Sequence, residues 1–484
     1  MDGTCRAGSE VTKILFVEPP KDYWFLMGEY LPPPTGLLVL AAYIEEKIPD
    51  FEIEVMDCQA EGKDFRGVED RIEDVSPSIV AFSGFTCNAY VCARAAEIAK
   101  KVNPDITTIA GGQHFSSTAE ESLLNFPEID FIIRGEGEET LVELIQALRA
   151  GRNLAYVRGL SFWHNNSVIH TPRRPLIPDL DKLPYPAYHL VEKNMEKYHF
   201  AMMAGKKTRY MILEGSRGCS YRCRFCSQWR HWDGVWRTKS AKRIADEMQY
   251  LSERFGGEFL WLTDDNFGYG IRGKELRQEL EQRTFTDDIT WFFQARTDDI
   301  VRNPELVAGL REVGNTWVLT GVENDSPEVL GSFRKEMDPS DAHRAVKILE
   351  KNDIFSHTMF VIGSRKDTAA SIERLRRFSL DLGSDLALYT VLTPFPGTDI
   401  YGEAVQNGWV EDTNYAHYDM AHAIMPTETL SKRQVQEELF ICYRAYYGSN
   451  ASNISGFFAG NKIKRRVTRH MAGKDILNSL RNLV

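Results

Sequence analysis

The chain has few cysteines for its length, no long hydrophobic run and no excess of positive charge. Eight cysteines among 484 residues are too few for a disulfide scaffold, so we expect a reducing compartment. The longest apolar run, residues 36–44, is far shorter than the roughly 20 residues of a membrane-spanning helix. The net charge of −11 argues against a dedicated nucleic-acid binder, which needs a basic surface. We therefore expect a cytoplasmic monomer that binds neither membranes nor nucleic acid.

Residues 11–150, which follow a polar tail at residues 1–10, alternate short apolar runs with amphipathic helical patterns. The patterns predict strands at 11–17, 51–56, 78–82, 106–110 and 130–133, and helices at 36–47, 88–102 and 138–148. Such alternation predicts an α/β domain with a doubly wound parallel sheet, which binds ligands at the carboxyl ends of its strands. The dinucleotide fingerprint G-x-G-x-x-G is absent after the first strand, which disfavours a nicotinamide cofactor.

Three of these predicted strands end in loops that contain glycine and small polar residues. The loop residues are Ser83, Gly84, Phe85, Thr86, Cys87 and Asn88, then Gly111, Gly112, Gln113 and His114, then Gly135, Glu136 and Gly137. Glycine lets a ligand approach the backbone closely. The three loops together therefore predict a cradle for a large cofactor.

The rest of the chain divides into a connector, a second α/β domain and a helical segment. Residues 151–204 lose the strand–helix rhythm and are rich in proline, which predicts an extended connector. Residues 205–400 resume the rhythm, with strands predicted at 209–214, 258–263, 289–295, 315–321, 355–362 and 385–393. Residues 401–484 are mostly helical in pattern, and Ser431 with Gln434 predicts a capping box that opens a helix.

Cys219, Cys223 and Cys226 lie within eight residues, directly after the first strand of the second α/β domain. Thiolates are soft ligands that suit iron–sulfur clusters, and three of them leave one iron of a four-iron cubane open. The spacing does not fit haem attachment or a closed zinc site. Buried structural cysteines are the alternative.

Polar residues stand at the ends of the later strands, where burial alone would favour apolar ones. They are Asp264, Asp265 and Asn266, then Gln294 and Arg296, then Glu323. A zwitterionic cofactor needs a carboxylate for its ammonium group and an arginine or amide for its carboxylate. The alternative for each residue is an ordinary helix N-cap.

The C-x3-C-x2-C spacing and the strand–helix pattern after it resemble the radical S-adenosylmethionine (SAM) enzymes. The resemblance implies a partial (β/α)6 barrel and a [4Fe-4S] cluster bound by Cys219, Cys223 and Cys226. It further implies SAM contacts by Phe225, Gln228, Asp264, Asp265, Asn266, Gln294, Arg296, Glu323 and Pro394, with Glu323 at the ribose. Asp264-Asp-Asn266 stands where many members carry a Gly-Gly-Glu turn.

The first α/β domain resembles the cobalamin-binding domain of many radical SAM enzymes in Pro32-Pro-Pro-Thr-Gly36, Gly111-Gly-x-His114 and Arg134-Gly-Glu-Gly-Glu138. The resemblance implies that cobalamin binds at the three glycine-bearing loops, with residues 85–88 facing the lower side of cobalt. The D-x-H-x-x-G motif, which places a histidine beneath cobalt elsewhere, is missing. Its absence argues against cobalt ligation by His114, for which a surface histidine is the alternative. Helix packing is the alternative for Cys87 and the one we favour for Cys92.

Residues 12 to about 400 resemble the cobalamin-dependent, or class B, radical SAM methyltransferases. The resemblance implies that one SAM methylates cobalamin and a second yields the radical that takes hydrogen from an unactivated sp3 carbon. No catalytic side chain beyond the cofactors is implied. An electron donor such as ferredoxin or flavodoxin is expected.

The general appearance suggests those members that methylate the Cα of a glutamine in methyl-coenzyme M reductase. This would be a post-translational modification in a methanogen, with a protein or peptide substrate. Three alternatives stand beside it. The first is a cobalamin radical enzyme acting on a small molecule or lipid. The second is a methylthiotransferase whose second cluster is bound by three N-terminal cysteines, for which Cys5, Cys58, Cys87 and Cys92 are available. The third is a non-catalytic cobalamin or redox sensor.

Overall fold

The computed structural model describes residues 12–21, 30–205, 207–450, 456 and 458–473. The predicted tail at residues 1–10 and Cys5 lie outside these ranges. The described residues form two compact units. The first comprises residues 12–21, 33–195 and 230–233, and the second comprises 30–32, 196–229 without 206, and the described residues from 234 onward. Within the described ranges, no helix combines the length and the apolar character needed to cross a membrane.

Strands and helices are numbered along the chain. The strands are β1 (Lys13–Glu18), β2 (Tyr30–Leu31), β3 (Glu52–Asp57), β4 (Ile79–Ser83), β5 (Thr107–Gly111), β6 (Phe131–Ile133), β7 (Leu160–His164), β8 (Ser167–His170), β9 (His199–Phe200), β10 (Tyr210–Leu213), β11 (Ser216–Arg217), β12 (Arg237–Thr238), β13 (Phe259–Leu262), β14 (Thr290–Arg296), β15 (Asn315–Glu323), β16 (Phe355–Ile362) and β17 (Leu386–Val391). The α-helices are α1 (Thr35–Lys47), α2 (Cys58–Glu61), α3 (Phe65–Val75), α4 (Ala89–Val102), α5 (Gly112–Ser117), α6 (Ala119–Asn125), α7 (Glu138–Arg149), α8 (Gln228–His231), α9 (Ala241–Phe255), α10 (Lys274–Glu281), α11 (Thr297–Arg302), α12 (Pro304–Glu312), α13 (Pro327–Ser332), α14 (Ser340–Lys351), α15 (Ala369–Leu382), α16 (Asp399–Gln406), α17 (Lys432–Asn450) and α18 (Lys462–Gly473).

The first unit is built on a seven-stranded sheet in the order β3-β1-β4-β5-β6-β7-β8. The first five strands in this order pair in parallel, which confirms the predicted doubly wound sheet. The chain runs from β1 outward to β3 and then back across to β4. The strand order therefore reverses between β1 and β4, and sheets of this kind bind ligands at that switch point, beyond the carboxyl ends of the strands.

The predicted connector at residues 151–204 contains regular structure that its proline content did not indicate. β7 and β8 form a hairpin that pairs antiparallel with the edge of the first sheet. Its two-residue loop is Asn165-Asn166, and both residues have positive φ angles, 48° and 62°. Asparagine tolerates this conformation better than most residues, and two-residue hairpin loops require it. The Asn165-Asn166 pair thus indicates a hairpin, but the high proline content led us to predict an extended connector instead.

The second unit is built on six parallel strands in the order β10-β13-β14-β15-β16-β17. These are the six strands predicted between residues 209 and 393, and their order confirms the partial barrel. A row of aromatic rings crosses one face of the sheet, with Trp261 stacked on Phe292 at 5.2 Å and Phe292 stacked on Trp317 at 3.8 Å between ring centroids. Phe200 packs on the same row, 5.6 Å from Trp317.

The C-terminal segment is helical where it is described, as predicted. The backbone N–H of Ser431 donates to Gln434 Oε1 at 2.9 Å, so the predicted capping box forms at the start of α17. α17 then packs on β17, and Tyr443 Oη donates to the carbonyl of Tyr389 at 2.8 Å. This helix therefore covers the last strand of the second sheet.

Candidate functional site

The three predicted cluster ligands lie in an irregular loop at the carboxyl end of β10. The loop begins at Gly215, includes the short strand β11 and Gly218, whose φ of +85° favours glycine, and ends where α8 begins. Cys219, Cys223 and Cys226 are half-buried, and none of them is in a disulfide. The backbone N–H of Cys226 donates to the carbonyl of Cys223 at 3.1 Å, which folds the loop tightly around its second and third cysteines.

The three thiols lie in a largely buried environment with carboxylates nearby. Burial raises the pKa of Cys219 to about 11 and that of Cys226 to about 12, with Asp265 the next largest charge effect at Cys226. The backbone N–H of Gln228 bonds to the sulfur of Cys226. Among the described residues, no three His, Cys, Asp or Glu side chains converge on one metal-ion position. Convergence on one ion is not required of thiolates that bind separate irons of a cluster.

Asp264 anchors the start of the cysteine loop. It is fully buried, and its Oδ1 accepts hydrogen bonds from the backbone N–H groups of Gly215 and Ser216, each at 2.8 Å. Its Oδ2 lies 2.6 Å from Arg272 Nη2. These contacts involve both carboxylate oxygens and are not those of a helix N-cap, while SAM binding by Asp264 stays a prediction.

Gln294 and Arg296 are also tied to the protein rather than open. Gln294 Nε2 donates to the carbonyl of Asp264 at 2.7 Å. Arg296 donates through Nε to Asp298 at 2.9 Å and through Nη2 to the carbonyl of Glu336 at 2.8 Å. Its guanidinium lies over the ring of Tyr221, inside the cysteine loop, 3.7 Å from the centroid. Arg296 therefore clamps the loop from the side.

The other predicted SAM contacts occupy varied positions around the loop. Asp265 is half-buried and faces the thiols, and Asn266 is buried and hydrogen-bonded to Asp299. Phe225 packs edge-on against Phe333 at 5.2 Å, Gln228 begins α8, and Pro394 is buried just beyond β17. Asp265 is thus the carboxylate of the Asp264–Asp265 pair that remains turned toward the cysteines.

Glu323, at the end of β15, is paired with a residue that the sequence did not single out. Lys335 Nζ lies 2.5 Å from Glu323 Oε1, and both side chains are almost fully buried. The charges of both bear on the Cys223 thiol. Lys335 lies in an irregular stretch after α13, where a lysine in a sequence ordinarily indicates a solvated surface. Only the fold reveals that it is buried beside the cysteine loop.

In the first unit, the loops after β4 and β5 touch each other. The backbone N–H of Gly84 donates to the carbonyl of Gly111 at 3.0 Å, and that of His114 donates to the carbonyl of Gly84 at 3.2 Å. Gly112 has a φ of +87°, and a Cβ there would lie 2.8 Å from Ser83 Oγ. The glycines predicted to admit a ligand thus also let these two loops pack together.

In the loop after β4 the aromatic residue is exposed, whereas the polar residues are buried or half-buried. Phe85 is 58% exposed, whereas Thr86 and Asn88 are buried in a single 3₁₀ turn and Cys87 is half-buried. An exposed phenyl ring at the switch point of a doubly wound sheet offers an apolar surface to a large ligand. The loop therefore has the open apolar contact that the cobalamin prediction needs.

His114 and Glu136, two of the predicted cobalamin-binding residues, are buried. His114 is inside α5 and 1% exposed, its ring packs edge-on against Phe115, and burial lowers its pKa to about 4. Glu136 is buried and accepts a hydrogen bond from the backbone N–H of Ile177 at 2.6 Å. A surface histidine is thus the wrong alternative, because α5 turns its side chain into the core.

The remaining predicted loop residues are Gln113, Gly135 and Gly137, and their surroundings differ. A Cβ on Gly135 would have no neighbour within 4 Å, whereas one on Gly137 would lie 3.0 Å from Leu40 of α1. Gln113 is half-buried in the first turn of α5. Gly135 therefore borders open space, and Gly137 serves the close packing of α1 and α7.

Comparisons with known proteins match one family to the first α/β domain and another to the second. The B12-binding domain family matches residues 28–145, and the radical SAM superfamily matches residues 213–379. A relative named as an uncharacterized methyltransferase of Pyrococcus horikoshii is 30% identical over 441 residues, which cover 90% of this chain and 93% of the relative. The chain belongs to the cobalamin-dependent radical SAM enzymes.

One further relative and one solved structure are similar to most of this chain. The anaerobic magnesium-protoporphyrin IX monomethyl ester cyclase of Rubrivivax gelatinosus is 29% identical, with 87% of this chain and 74% of that protein covered. The solved structure of the radical SAM methyltransferase TsrM from Kitasatospora setae, with tryptophan substrate and a SAM analogue, is 16% identical with a TM-score of 0.71, covering 97% of this chain and 99% of TsrM. The second likeness concerns the fold.

The residues of this cobalamin-dependent radical SAM enzyme fit its three cofactors. Three reduced thiols in one loop supply the donor set of a [4Fe-4S] cluster with an open iron. Asp265 and the Glu323–Lys335 pair border that loop with the charges that a zwitterion requires. For the predicted cobalamin site, Phe85 offers an exposed apolar side chain beyond β4, next to the switch point, and Gly135 borders open space beyond β6.

Proposed function

We propose that this enzyme is a methyltransferase that acts on an unactivated sp3 carbon. The observation that carries the proposal is that the charged groups around the cysteine loop are held in place by fixed partners. Asp264 is held by two backbone N–H groups and Arg272, Arg296 by Asp298 and Glu336, and Glu323 by Lys335. Groups fixed in this way bind and position, and they are poorly placed to carry protons. Radical removal of hydrogen from carbon needs no such carrier.

In the proposed reaction the protein holds the reactants and keeps water out. When bound, the cluster supplies an electron, SAM the hydrogen-abstracting radical, and cobalamin the methyl group. Cys219, Cys223 and Cys226 bind the cluster, while Asp264 and Arg296 fix the loop that carries them. Asp265, Asn266 and Glu323 contact SAM. Phe225, Gln228 and Pro394 complete its surroundings.

Cobalamin binding is assigned to the first unit, at the ends of β4, β5 and β6. Within the predicted set Phe85 is exposed, and the half-buried members are Ser83, Cys87, Gly111, Gly112, Gln113, Gly135 and Gly137. Ser83, Gly84, Gly111, Gly112 and Gly135 would contribute backbone, and Thr86, Asn88 and Gly137 support the loops. His114 and Glu136 act as core and loop anchors beneath this surface.

An apolar wall beneath the polar strand ends favours a small molecule or lipid as the methyl acceptor. Trp261 is only partly buried, and its stacking partner Phe292 shares a strand face with Gln294 because side chains alternate along a strand. Ile212 and Met359 are partly buried apolar neighbours of the same core. The porphyrin ester of one relative and the tryptophan of one structural neighbour are consistent with such an acceptor.

A glutamine Cα in methyl-coenzyme M reductase is the second acceptor that we carry forward, together with the methanogen context and cytoplasmic location it implies. An apolar wall offers no dedicated partner for a glutamine amide, so this acceptor has less structural support. In either case we expect a ferredoxin or flavodoxin to supply the electron.

The methylthiotransferase alternative loses support because two of its four cysteines are core residues. Cys58 and Cys92 are buried in one hydrophobic cluster, and burial raises the pKa of Cys58 to about 12. Cysteines in such surroundings are inert packing residues. Cys5 lies outside the described residues.

Labelled turnover tests the proposed acceptor. The enzyme, loaded with cobalamin and iron and reduced anaerobically, is incubated with trideuteromethyl-SAM and either small-molecule extracts or a glutamine-containing reductase peptide, with Cys219→Ala as the control. Mass spectrometry should find the label on a saturated carbon of one acceptor only with the unmodified enzyme. Label on a heteroatom or an aromatic carbon would contradict the sp3 assignment.

A further inference from the structure

Two histidines stack on each other in the stretch between α16 and α17, outside the cysteine loop. The rings of His417 and His422 have 4.9 Å between their centroids and 25° between their planes. Both side chains are partly exposed. Neither belongs to the residues assigned to the cluster, SAM or cobalamin, so the pair requires an explanation of its own.

Each ring is oriented by its own carboxylate. His417 Nδ1 lies 2.9 Å from Asp412 Oδ2, and His422 Nδ1 lies 2.9 Å from Asp419 Oδ2. A carboxylate oxygen accepts, so Nδ1 of each neutral ring carries the hydrogen and Nε2 keeps its lone pair. Metal-binding histidines have this same arrangement, in which a carboxylate fixes both the tautomer and the direction of the ring.

The amide of Asn414 agrees with the tautomer of His417. Its oxygen accepts from the backbone N–H of Ala416 at 3.1 Å, which fixes the amide so that Nδ2 faces the ring. Nδ2 lies 3.4 Å from His417 Nε2, so Nε2 is the accepting nitrogen. This contact is long for a hydrogen bond and Asn414 is exposed, so a metal ion can replace it.

The spacing of the rings fits two imidazoles on one metal ion. Zinc binds imidazole nitrogens at about 2.0–2.1 Å with tetrahedral angles, which places the centroids of two rings on one ion about 5 Å apart. The observed separation of 4.9 Å matches this value. Because no three metal-binding side chains converge anywhere in the described part of the chain, the ion has two protein ligands here and water completes its coordination.

The charges around the pair favour a cation. The carboxylates of Asp412 and Asp419 are balanced by one ammonium group, that of Lys432, whose Nζ lies 3.5 Å from Asp412 Oδ2. Negative charge therefore predominates beside the two rings, and it lies behind Nδ1, where it orients the ligands without occupying the metal position.

The backbone holds the second histidine in a fixed place beside the last strand of the partial barrel. Asp419 Oδ1 accepts from the backbone N–H groups of Ala421 and His422 at 2.8 and 3.0 Å. Met420 has a φ of +67°, and its carbonyl accepts from the N–H of Val391 in β17 at 2.8 Å. A non-glycine residue keeps such a conformation only where its surroundings enforce it.

We propose that His417 and His422 bind one divalent transition-metal ion of the zinc class through their Nε2 atoms. Imidazole is a ligand that suits zinc and its neighbours in the first transition series. The ion ties the two ends of residues 417–422 together along β17. The site is independent of the proposed function, because no step of methyl transfer passes through it.

Titration of the cluster-loaded enzyme with Zn²⁺ tests the site. The wild type should bind one ion per chain in calorimetry, while the absorption of the iron–sulfur cluster stays unchanged. Asp412→Asn and Asp419→Asn should weaken binding by about 10–100-fold, because the rings lose their orienting carboxylates. His417→Phe and His422→Phe keep an aromatic ring in the stack but remove a ligand, so each should weaken binding at least as much.

His343 provides the matched control. Its ring is also partly exposed and also bonds to a carboxylate, Asp381 at 2.9 Å, but its aromatic neighbour is Phe378 rather than a second histidine. His343→Ala should therefore bind Zn²⁺ as the wild type does. X-ray absorption at the zinc edge of the wild-type complex should show two imidazole ligands together with oxygen.

Stoichiometry decides whether the two histidines share one ion. Two ions per wild-type chain, with one lost in each phenylalanine variant, would show separate binding and contradict the proposal. Unchanged binding in both phenylalanine variants, thiolate ligands at the zinc edge, or no binding by the wild type would also contradict it. The absorption spectrum needs no variant, so the test holds even where a substitution disturbs the fold.

Discussion

Replacing Asp264 tests whether its carboxylate mainly holds the cysteine loop in place or mainly binds the ammonium group of SAM. Asp264→Ala would leave the N–H groups of Gly215 and Ser216 without their acceptor and the buried guanidinium of Arg272 without its charge partner. Removing one partner of a buried pair costs about 3–5 kcal/mol. The two lost hydrogen bonds to a charged acceptor overlap with that value rather than adding to it. We therefore expect the free energy of unfolding to fall by about 3–5 kcal/mol, a large part of a typical domain's stability.

The same substitution should release the cluster as well as destabilise the fold, because Asp264 holds the first residues of the loop that carries the thiols. Urea unfolding of the apoprotein measures the stability, and iron per chain after anaerobic reconstitution measures the cluster. Asp264→Asn keeps an acceptor for the two N–H groups but loses the charge, so its effects should be intermediate. Asp265→Ala is the matched control, which should change stability by less than about 1 kcal/mol and weaken SAM binding.

A different result would restore the sequence-based interpretation of Asp264 as a ligand of the SAM ammonium group. In that case Asp264→Ala would keep its iron and its stability and lose only SAM affinity. Such an outcome would show that the contacts to Gly215, Ser216 and Arg272 are not what holds the loop.

Three further predictions concern the cluster, the core and the first unit. Replacing Cys219, Cys223 and Cys226 together by Ala should abolish bound iron, whereas Cys58→Ala with Cys92→Ala should keep it, and iron analysis of both variants decides. Burial lowers the pKa of His357 from 6.5 to about 3, so the folded state binds fewer protons than the unfolded state and stability falls as the pH drops below about 6.5. In urea unfolding, His357→Phe should therefore lose less stability than the wild type between pH 7 and pH 5. Equal losses in the two proteins would contradict this. The paramagnetic resonance of the cob(II)alamin form should lack nitrogen splitting because His114 is buried in α5, and splitting that disappears in His114→Ala would refute it.

Much of the fold was accessible from sequence periodicity because the central strands of both large sheets are parallel and largely buried. Runs such as 13–18 and 355–362 are mostly apolar and are separated by helical patterns, which leaves few alternatives to a wound sheet. Helix α3 was missed although Asp64 caps it and Val68 and Ile72 face the core, because the segment is dominated by charged residues. The hairpin β7–β8 was missed because prolines around it suggested a connector.

From the sequence we could predict which residue types lie at the ends of the strands, but not which groups those residues contact. The cysteine spacing predicted a cluster-binding loop, since three thiols within eight residues fit few kinds of site besides a metal cluster. The contacts of Asp264 and Arg296 are with backbone groups 49 and 40 residues away along the chain, and that of Lys335 is with the Glu323 carboxylate 12 residues away. No local pattern encodes such contacts, so neither the anchoring contacts of Asp264 nor the burial of Lys335 was predictable from the sequence.

The measurement that tests the central claim most directly is the product balance from SAM. The loaded, reduced enzyme is incubated anaerobically with its acceptor, and 5'-deoxyadenosine and S-adenosylhomocysteine are quantified together. A cobalamin-dependent radical methyltransferase should form both products in equal amounts for each methyl group transferred, and Cys226→Ala should form no 5'-deoxyadenosine. Formation of 5'-deoxyadenosine without S-adenosylhomocysteine or a methylated product would show radical chemistry of another kind and would contradict the assignment as a methyltransferase.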